Sequence, residues 1–214
     1  MTATTHIAPS GIRLATPGDW FEVPTSEDPS EIARQVDALV VSRPGLEGQR
    51  EVLTGLLGVL GATAAASRAL CVRAVLVDAP GGQLPAFLMA SIGEAPAGGV
   101  AAIPGEDASW LSRTFDLPMG PTVRLEGVGE TPRGADGGAV AVSLVQYHAA
   151  VPSTDRLLSL VFFTPALGLM DTVLREIFHG IACSVEFEAD NPDPEGTAAM
   201  APTHGRSAPD GLTS

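Results

Sequence analysis

A change of hydrophobic period along the chain limits what it can fold into. Over residues 28–70 the large apolar side chains recur every three or four positions, as on helices. Over residues 71–163 they mostly alternate and include many β-branched side chains, as on strands. After Thr164-Pro165 the helical period returns once. Strands that follow one another through short Pro- and Gly-rich turns build antiparallel meanders, not βαβ units. The order of helices, strands and helix therefore specifies an α+β fold: an antiparallel sheet of about five to seven strands with helices packed on it.

The signals within each segment sharpen this. Asp28-Pro29-Ser30-Glu31 supplies a capping side chain, a proline at the first helical position and an acid in the first turn. The spacing predicts a helix to Ser42 with Ile32, Val36, Leu39 and Val40 inward, broken at Pro44-Gly45. A second helix is expected over 47–70, with Val52, Leu53, Leu56, Leu57 and Leu60 inward. Strands are expected over 71–77, 86–94, 121–128, 139–149 and 157–163. The last of these is almost wholly apolar and is therefore expected at the centre of the sheet. Residues 11–23, with a turn at Pro17-Gly18-Asp19, read as a hairpin of two short strands. A short helix is expected over 108–115. A final helix is expected over 167–185, with Met170, Val173, Leu174, Ile177, Ile181 and Val185 inward. Residues 1–10 and 189–214 show no apolar period and read as a flexible arm and a disordered tail around one domain, 11–188.

Charge excludes several functions. Twenty-five acidic residues face twelve basic ones, all arginine, for a net charge of -13. Nucleic-acid binding needs a basic face that displaces counterions from phosphates, and anionic lipid needs basic clusters. No two neighbouring residues here are basic. Neither nucleic acid nor membrane is expected as a partner. The densest acidic stretch carries Asp19, Glu22, Glu27, Asp28 and Glu31, and continues to Asp37. It is the candidate interaction face, fit for a basic protein partner, although a run of charge also serves simply as a solvated surface. The start of the chain has no basic segment followed by an apolar one, so no secretory signal is expected. The longest apolar stretch, over residues 52–66, would span about 22 Å as a helix against a hydrocarbon core of roughly 30 Å. A cytoplasmic location follows as the expectation.

A search for chemistry finds no catalytic constellation. Cys71 and Cys183 each sit in an apolar run and read as buried free thiols rather than a redox pair. His148 and His179 read as surface or capping residues, and the four histidines form no HxH or HExxH spacing. Gly127, Gly129 and the run 134–138 lack the strand, glycine loop and helix order of a phosphate site and read as turns. Ser143, Ser159 and Ser184 lack a GxSxG context. Asp19 with Glu22, and Asp107 with Asp116, are paired acids without cleft signals around them. Trp20 and Trp110 could anchor a partner but read rather as plugs of the sheet ends. No cofactor, metal or catalytic residue is expected, and the chain does not read as an enzyme.

Two segments resemble a known family. Leu157-Leu158-Ser159-Leu160-Val161-Phe162-Phe163-Thr164-Pro165, followed by Glu176-Ile177-Phe178-His179-Gly180-Ile181-Ala182-Cys183-Ser184-Val185-Glu186-Phe187, is similar to the close of PsbP-like domains. There a final strand ends in Thr-Pro, and a helix carries Phe, then Ile-Ala, then Ser and an apolar residue. Pro17-Gly18-Asp19-Trp20 resembles the Pro-x-x-Trp turn near the start of those domains. The abundance of Ala, Gly and Arg resembles uncharacterised actinobacterial proteins of this kind. The resemblance implies a PsbP-like sandwich. The family shares a fold and no common catalytic motif, so it implies no site residues. The two long helices of 28–70 exceed its short helical insert. The leading expectation is a non-catalytic protein-interaction or accessory module. The alternative is a small-molecule-binding protein or enzyme with a pocket between the sheet and the helices of residues 28–70.

Overall fold

A computed structural model describes residues 9–79, 82–103, 109–133 and 138–189. The arm over 1–8, the tail from 190, the turn over 134–137 and Asp107 lie outside the described residues. The elements in chain order are β1 (Pro9–Arg13), β2 (Phe21–Glu22), α1 (Pro29–Ser42), a 3-10 turn (Pro44–Gln49), α2 (Arg50–Ser67), β3 (Cys71–Ala79) and β4 (Gly82–Glu94). Then come β5 (Leu111–Leu117), β6 (Gly120–Arg133), β7 (Gly138–Ala150) and β8 (Arg156–Thr164). A helical turn α3 (Leu167–Leu169), a π-helical turn (Met170–Leu174), α4 (Arg175–Cys183) and β9 (Glu186–Ala189) follow among the described residues.

Seven strands form one antiparallel sheet in the order β2-β3-β4-β8-β7-β6-β5, which makes β8 the central strand. Neighbouring side chains on a strand point to opposite faces, and both faces of this sheet are covered. Leu88, Ala90, Tyr147, Leu160 and Phe162 face Leu174, Phe178 and Ile181 of the C-terminal helical segment. Val72, Ala74, Phe87, Met89 and Phe163 face Val36 and Val40 of α1 and Leu53, Leu56, Leu57 and Leu60 of α2. Burial on both faces explains why β4 and β8 read as nearly continuous apolar runs. The fold is α+β, as the change of period specifies.

The helix start is built as its residues predict. Asp28 accepts a hydrogen bond from the Ser30 backbone N–H at 2.9 Å and another from the Ser30 hydroxyl at 2.8 Å. Those bonds hold the Asp28 carboxyl below the usual carboxylate range. α1 buries Ile32, Val36 and Val40 on one face.

Five expectations need correction. Residues 11–23 are not a hairpin: β1 pairs with β9, and β2 pairs with β3, so each segment finds a partner far along the chain. β1 and β9 also carry the folded unit to Pro9 and Ala189, slightly beyond 11–188. In place of the short helix expected over 108–115, residues 111–115 belong to the edge strand β5, paired with β6 from Leu111↔Glu126 to Leu117↔Gly120; Ala108 lies outside the described residues. Leu111 and Phe115 are four apart, which suits either structure. Pairing with β6 through the two-residue turn Pro118-Met119, closed by Gly120 at φ +106, decides for the strand. Gly127 and Gly129 are not in a turn but inside β6. A Cβ on Gly127 would stand 2.6 Å from the Trp110 ring, so the glycine makes room for that indole. Finally, Val173 is 62% exposed rather than inward. The π-helical turn inserts one extra residue, and the inward series becomes Met170, Leu174, Phe178, Ile181 and Ala182.

Candidate functional site

The candidate face is assembled where β2 hands the chain to α1. Phe21 and Glu22 pair with Ala74 and Arg73 at the edge of the sheet, and the Val23 N–H donates to the Val72 carbonyl at 3.0 Å. The chain then crosses α2 at Gly61. A Cβ there would lie 2.0 Å from the Ser26 carbonyl oxygen, so glycine lets the two backbones touch. Asp28 then caps α1. The result is a groove of about 370 Å³ between β2 and α1, floored by Phe21, Val23, Pro24, Ala38 and Leu39. Glu22, Gln35 and Ser42 supply its polar groups. The Gln35 side-chain amide nitrogen is buried and makes no hydrogen bond, although an amide N–H is an obligatory donor. Arg43 covers the Phe21 ring at 5.7 Å from its centroid.

The structure brings together only part of the expected acidic face. Glu22 lines the groove, and Glu31 lies on α1 one turn before Gln35 on the same stripe. Glu27 and Asp28 stand exposed at the N-terminal end of α1. Asp19 is exposed in the turn before Trp20 but does not line the groove. Glu31 is paired with Arg34, and Asp37 with Arg50. Asp19, Glu22, Glu27 and Asp28 make no ion pair among the described residues. Trp20 and Trp110 are buried and serve the core: Trp20 meets Phe178 edge-on at 6.2 Å.

Two polar constellations escaped the sequence. On the α4 side of the sheet, Arg124 Nε contacts Glu126 Oε1 at 2.6 Å, and Arg175 reaches Glu126 Oε2 at 3.2 Å. The 2.6 Å contact is an ion pair out of line for a hydrogen bond, since neither atom gains a hydrogen-bond partner from it. Arg124 also lies over the Phe115 ring at 4.5 Å. Tyr147 is fully buried beside this cluster, 3.4 Å from His179 Nδ1, and burial pushes its phenol pKa up. His179 is thus half-buried within an aromatic cluster rather than a surface or capping residue.

On the opposite face His148 is buried, which corrects its reading as a surface or capping residue. Its Nδ1 is 3.0 Å from Ser159 Oγ and its Nε2 3.0 Å from Gln146 Oε1. The amide oxygen only accepts, so Nε2 carries the proton and Ser159 donates to Nδ1. A hydroxyl, an imidazole and an orienting amide in a row resemble a nucleophile, base and positioning group. Burial, however, holds the His148 pKa down to about 4. Such an imidazole is a weak base at neutral pH, and the trio acts as a satisfied polar network. Cys71 and Cys183 are free and half-buried, and burial raises the Cys71 pKa, which keeps that thiol protonated and unreactive. Among the described residues no group of three or more His, Cys, Asp or Glu could hold a metal ion, and no helix is long and apolar enough to cross a membrane.

No protein-family model matches the chain, and a search of curated proteins finds no match. The reading of the site therefore rests on its own geometry.

Proposed function

We propose that this protein is a non-catalytic cytoplasmic interaction or accessory module of PsbP-like fold, and that it docks a basic, amphipathic segment of another protein in the groove between β2 and α1. The observation that carries this reading is the groove itself. It joins an apolar floor at Phe21, Ala38 and Leu39 to the Glu22 carboxylate and the unpaired Gln35 amide, with Glu27, Asp28 and Glu31 further along towards the N-terminal end of α1. An extended segment would offer the carbonyl that Gln35 lacks. Its arginines or lysines would meet these carboxylates, and one large apolar side chain would fill the floor. The net charge of -13 favours a basic partner over the whole surface. The likeness to PsbP-like domains supports the same reading through a family without a common catalytic motif.

The partner is recovered by pull-down from the native organism, and its association rate is then measured. Glu22→Gln, Glu27→Gln, Asp28→Asn and Glu31→Gln together should slow association several-fold at low salt. Asn at 28 keeps the helix cap. The difference should shrink as salt rises, because the screening length falls from about 10 Å at 0.1 M to about 3 Å at 1 M. Leu39→Ser should instead speed dissociation. Association unchanged by the four substitutions at every salt concentration would remove this face from the function.

A further inference from the structure

Among the described residues nothing pairs with the outer edge of β5, the last strand of the seven-stranded sheet. An edge strand offers a row of open N–H and C=O groups, and proteins commonly close such an edge with lysine, proline or a bulge. β5 has none of the three. Leu111–Leu117 holds no lysine and no proline, and its register with β6 runs unbroken from Leu111↔Glu126 to Leu117↔Gly120. Residues 111–114 are all exposed. The register also fixes which backbone groups stand open. Positions in an antiparallel pair alternate between hydrogen-bonded and non-hydrogen-bonded. Pro121 has no N–H to give and stands opposite Asp116, which makes that position a non-hydrogen-bonded one. Thr114↔Val123 and Ser112↔Leu125 share its phase. The tight hairpin closed at Leu117↔Gly120 sets the same alternation. Ser112, Thr114 and Asp116 therefore turn their N–H and C=O groups away from β6, towards the open edge.

The side chains select the occupant, because β5 is complementary to itself. Thr114 is its middle residue. A second copy, antiparallel about a twofold axis at Thr114, sets Thr114 against Thr114, Ser112 against Asp116, Arg113 against Phe115 and Leu111 against Leu117. The outward backbone groups of Ser112, Thr114 and Asp116 all find partners in this register, each facing pair exchanging both hydrogen bonds. No like charges stand directly opposite one another. Arg113 meets the Phe115 ring, which already takes Arg124 at 4.5 Å from its centroid, and Asp116 meets a serine hydroxyl. The neighbouring registers are worse. An axis at Arg113 sets that guanidinium against itself, and an axis at Phe115 sets Ser112 against Pro118, which has no N–H. We propose that the protein forms a twofold dimer in which β5 pairs with β5 of a second copy and the two sheets become one. This goes beyond the docking reading and does not depend on it. The groove lies beside β2 at the opposite edge of the sheet, so the dimer leaves one open groove at each end.

The test follows the full chain by sedimentation equilibrium over a range of protein concentrations, with hydrogen exchange at the Thr114 amide. A reversible monomer–dimer equilibrium is expected, with Thr114 protected only in the dimer. Dimerisation should tighten as salt rises, because each copy carries a net charge of -13 and salt screens their repulsion. Thr114→Pro removes an outward N–H, a change that an edge strand tolerates. The melting temperature should hold while the dissociation constant rises about thirtyfold, for one backbone hydrogen bond lost from each copy. Thr114→Lys and Thr114→Glu each place like charges across the axis, so either chain alone should be monomeric. An equal mixture of the two should pair. That mixture decides the matter even if Thr114→Pro unfolds. A full chain that stays monomeric at every concentration would overturn the proposal. So would a dimer that survives both charged substitutions, since its contact would lie on another face, or a mixture that stays monomeric. Thr114 protected in the monomer would assign the edge to another segment of the same chain and overturn it too.

Discussion

Phe178→Ala should be among the most destabilising single substitutions in the protein, at about 3–5 kcal/mol. Phe178 is fully buried where α4 crosses the sheet. Its ring stacks on Phe162 of the central strand at 4.4 Å, and Trp20 meets it edge-on at 6.2 Å. Truncation removes the transfer free energy of the ring and leaves a cavity. Neither β8 nor the segment before β2 can close that cavity without breaking strand pairing. Each aromatic contact adds about 0.5–1.5 kcal/mol beyond the buried area. The control is Val173→Ala in the π-helical turn. Val173 is 62% exposed, and surface changes of this kind stay within about 0.5 kcal/mol. Urea unfolding of both variants measures the contrast. Equal losses at the two positions would show that the helix presents a different face to the sheet.

That contrast also shows what can be read from a sequence of this kind. The period of 3.6 over 167–185 announces a helix and correctly places Met170, Leu174, Ile181 and Val185 inward. It misplaces Val173, which lies within the π-helical turn and faces solvent, and it omits Phe178, while Ile181 and Val185 beyond the turn keep their inward positions. The central position of β8 was legible, since a strand covered on both faces is apolar at nearly every position, and β8 departs from that in its interior only at Ser159. The identity of β5 was not. An edge strand buries little, and only Leu117 among its residues is buried. Its sequence does alternate, with Leu111, Phe115 and Leu117 on one parity against Ser112, Thr114 and Asp116, but Leu111 and Phe115 also stand four apart as on a helix, and a partner strand decides its conformation. Pairing of β1 with β9 joins segments more than 170 residues apart, which no local pattern records. The acidic half of the candidate site was legible as charge. The apolar half depends on how far α1 stands from β2, and Gly61 sets part of that through a contact with Ser26 on another segment. His148 and Gln146, two apart on β7, were bound to share a face. The Ser159 hydroxyl that completes their network comes from β8, and only the strand register supplies it.

Stability should fall by roughly 3 kcal/mol through His148 alone as pH drops from 7 to 4. The folded-state pKa of His148 is lowered from 6.5 to about 4 by burial. Its cross-strand neighbours, Val123 and Ser159, carry no charge that could favour the imidazolium. Between these two values the unfolded chain binds a proton that the folded protein refuses. Stability from this group is therefore complete above pH 6.5, declines as pH falls through the window and is spent near pH 4. Protonating Nδ1 would also set its N–H against the Ser159 O–H, so the hydroxyl must turn and seek another acceptor on a largely covered face. Carboxylates titrate over the lower part of the same window, so the contribution is isolated by difference. Urea unfolding of the native protein and of His148→Gln is measured at half-unit steps from pH 8 to 4. The variant starts lower, because it loses the fitted hydrogen bonds, but its curve should lack the extra decline between pH 6.5 and 4, and the two curves should converge. Parallel curves across that window would mean that His148 is protonated in the folded protein as readily as in the unfolded one, and the buried network would lose its pH sensitivity.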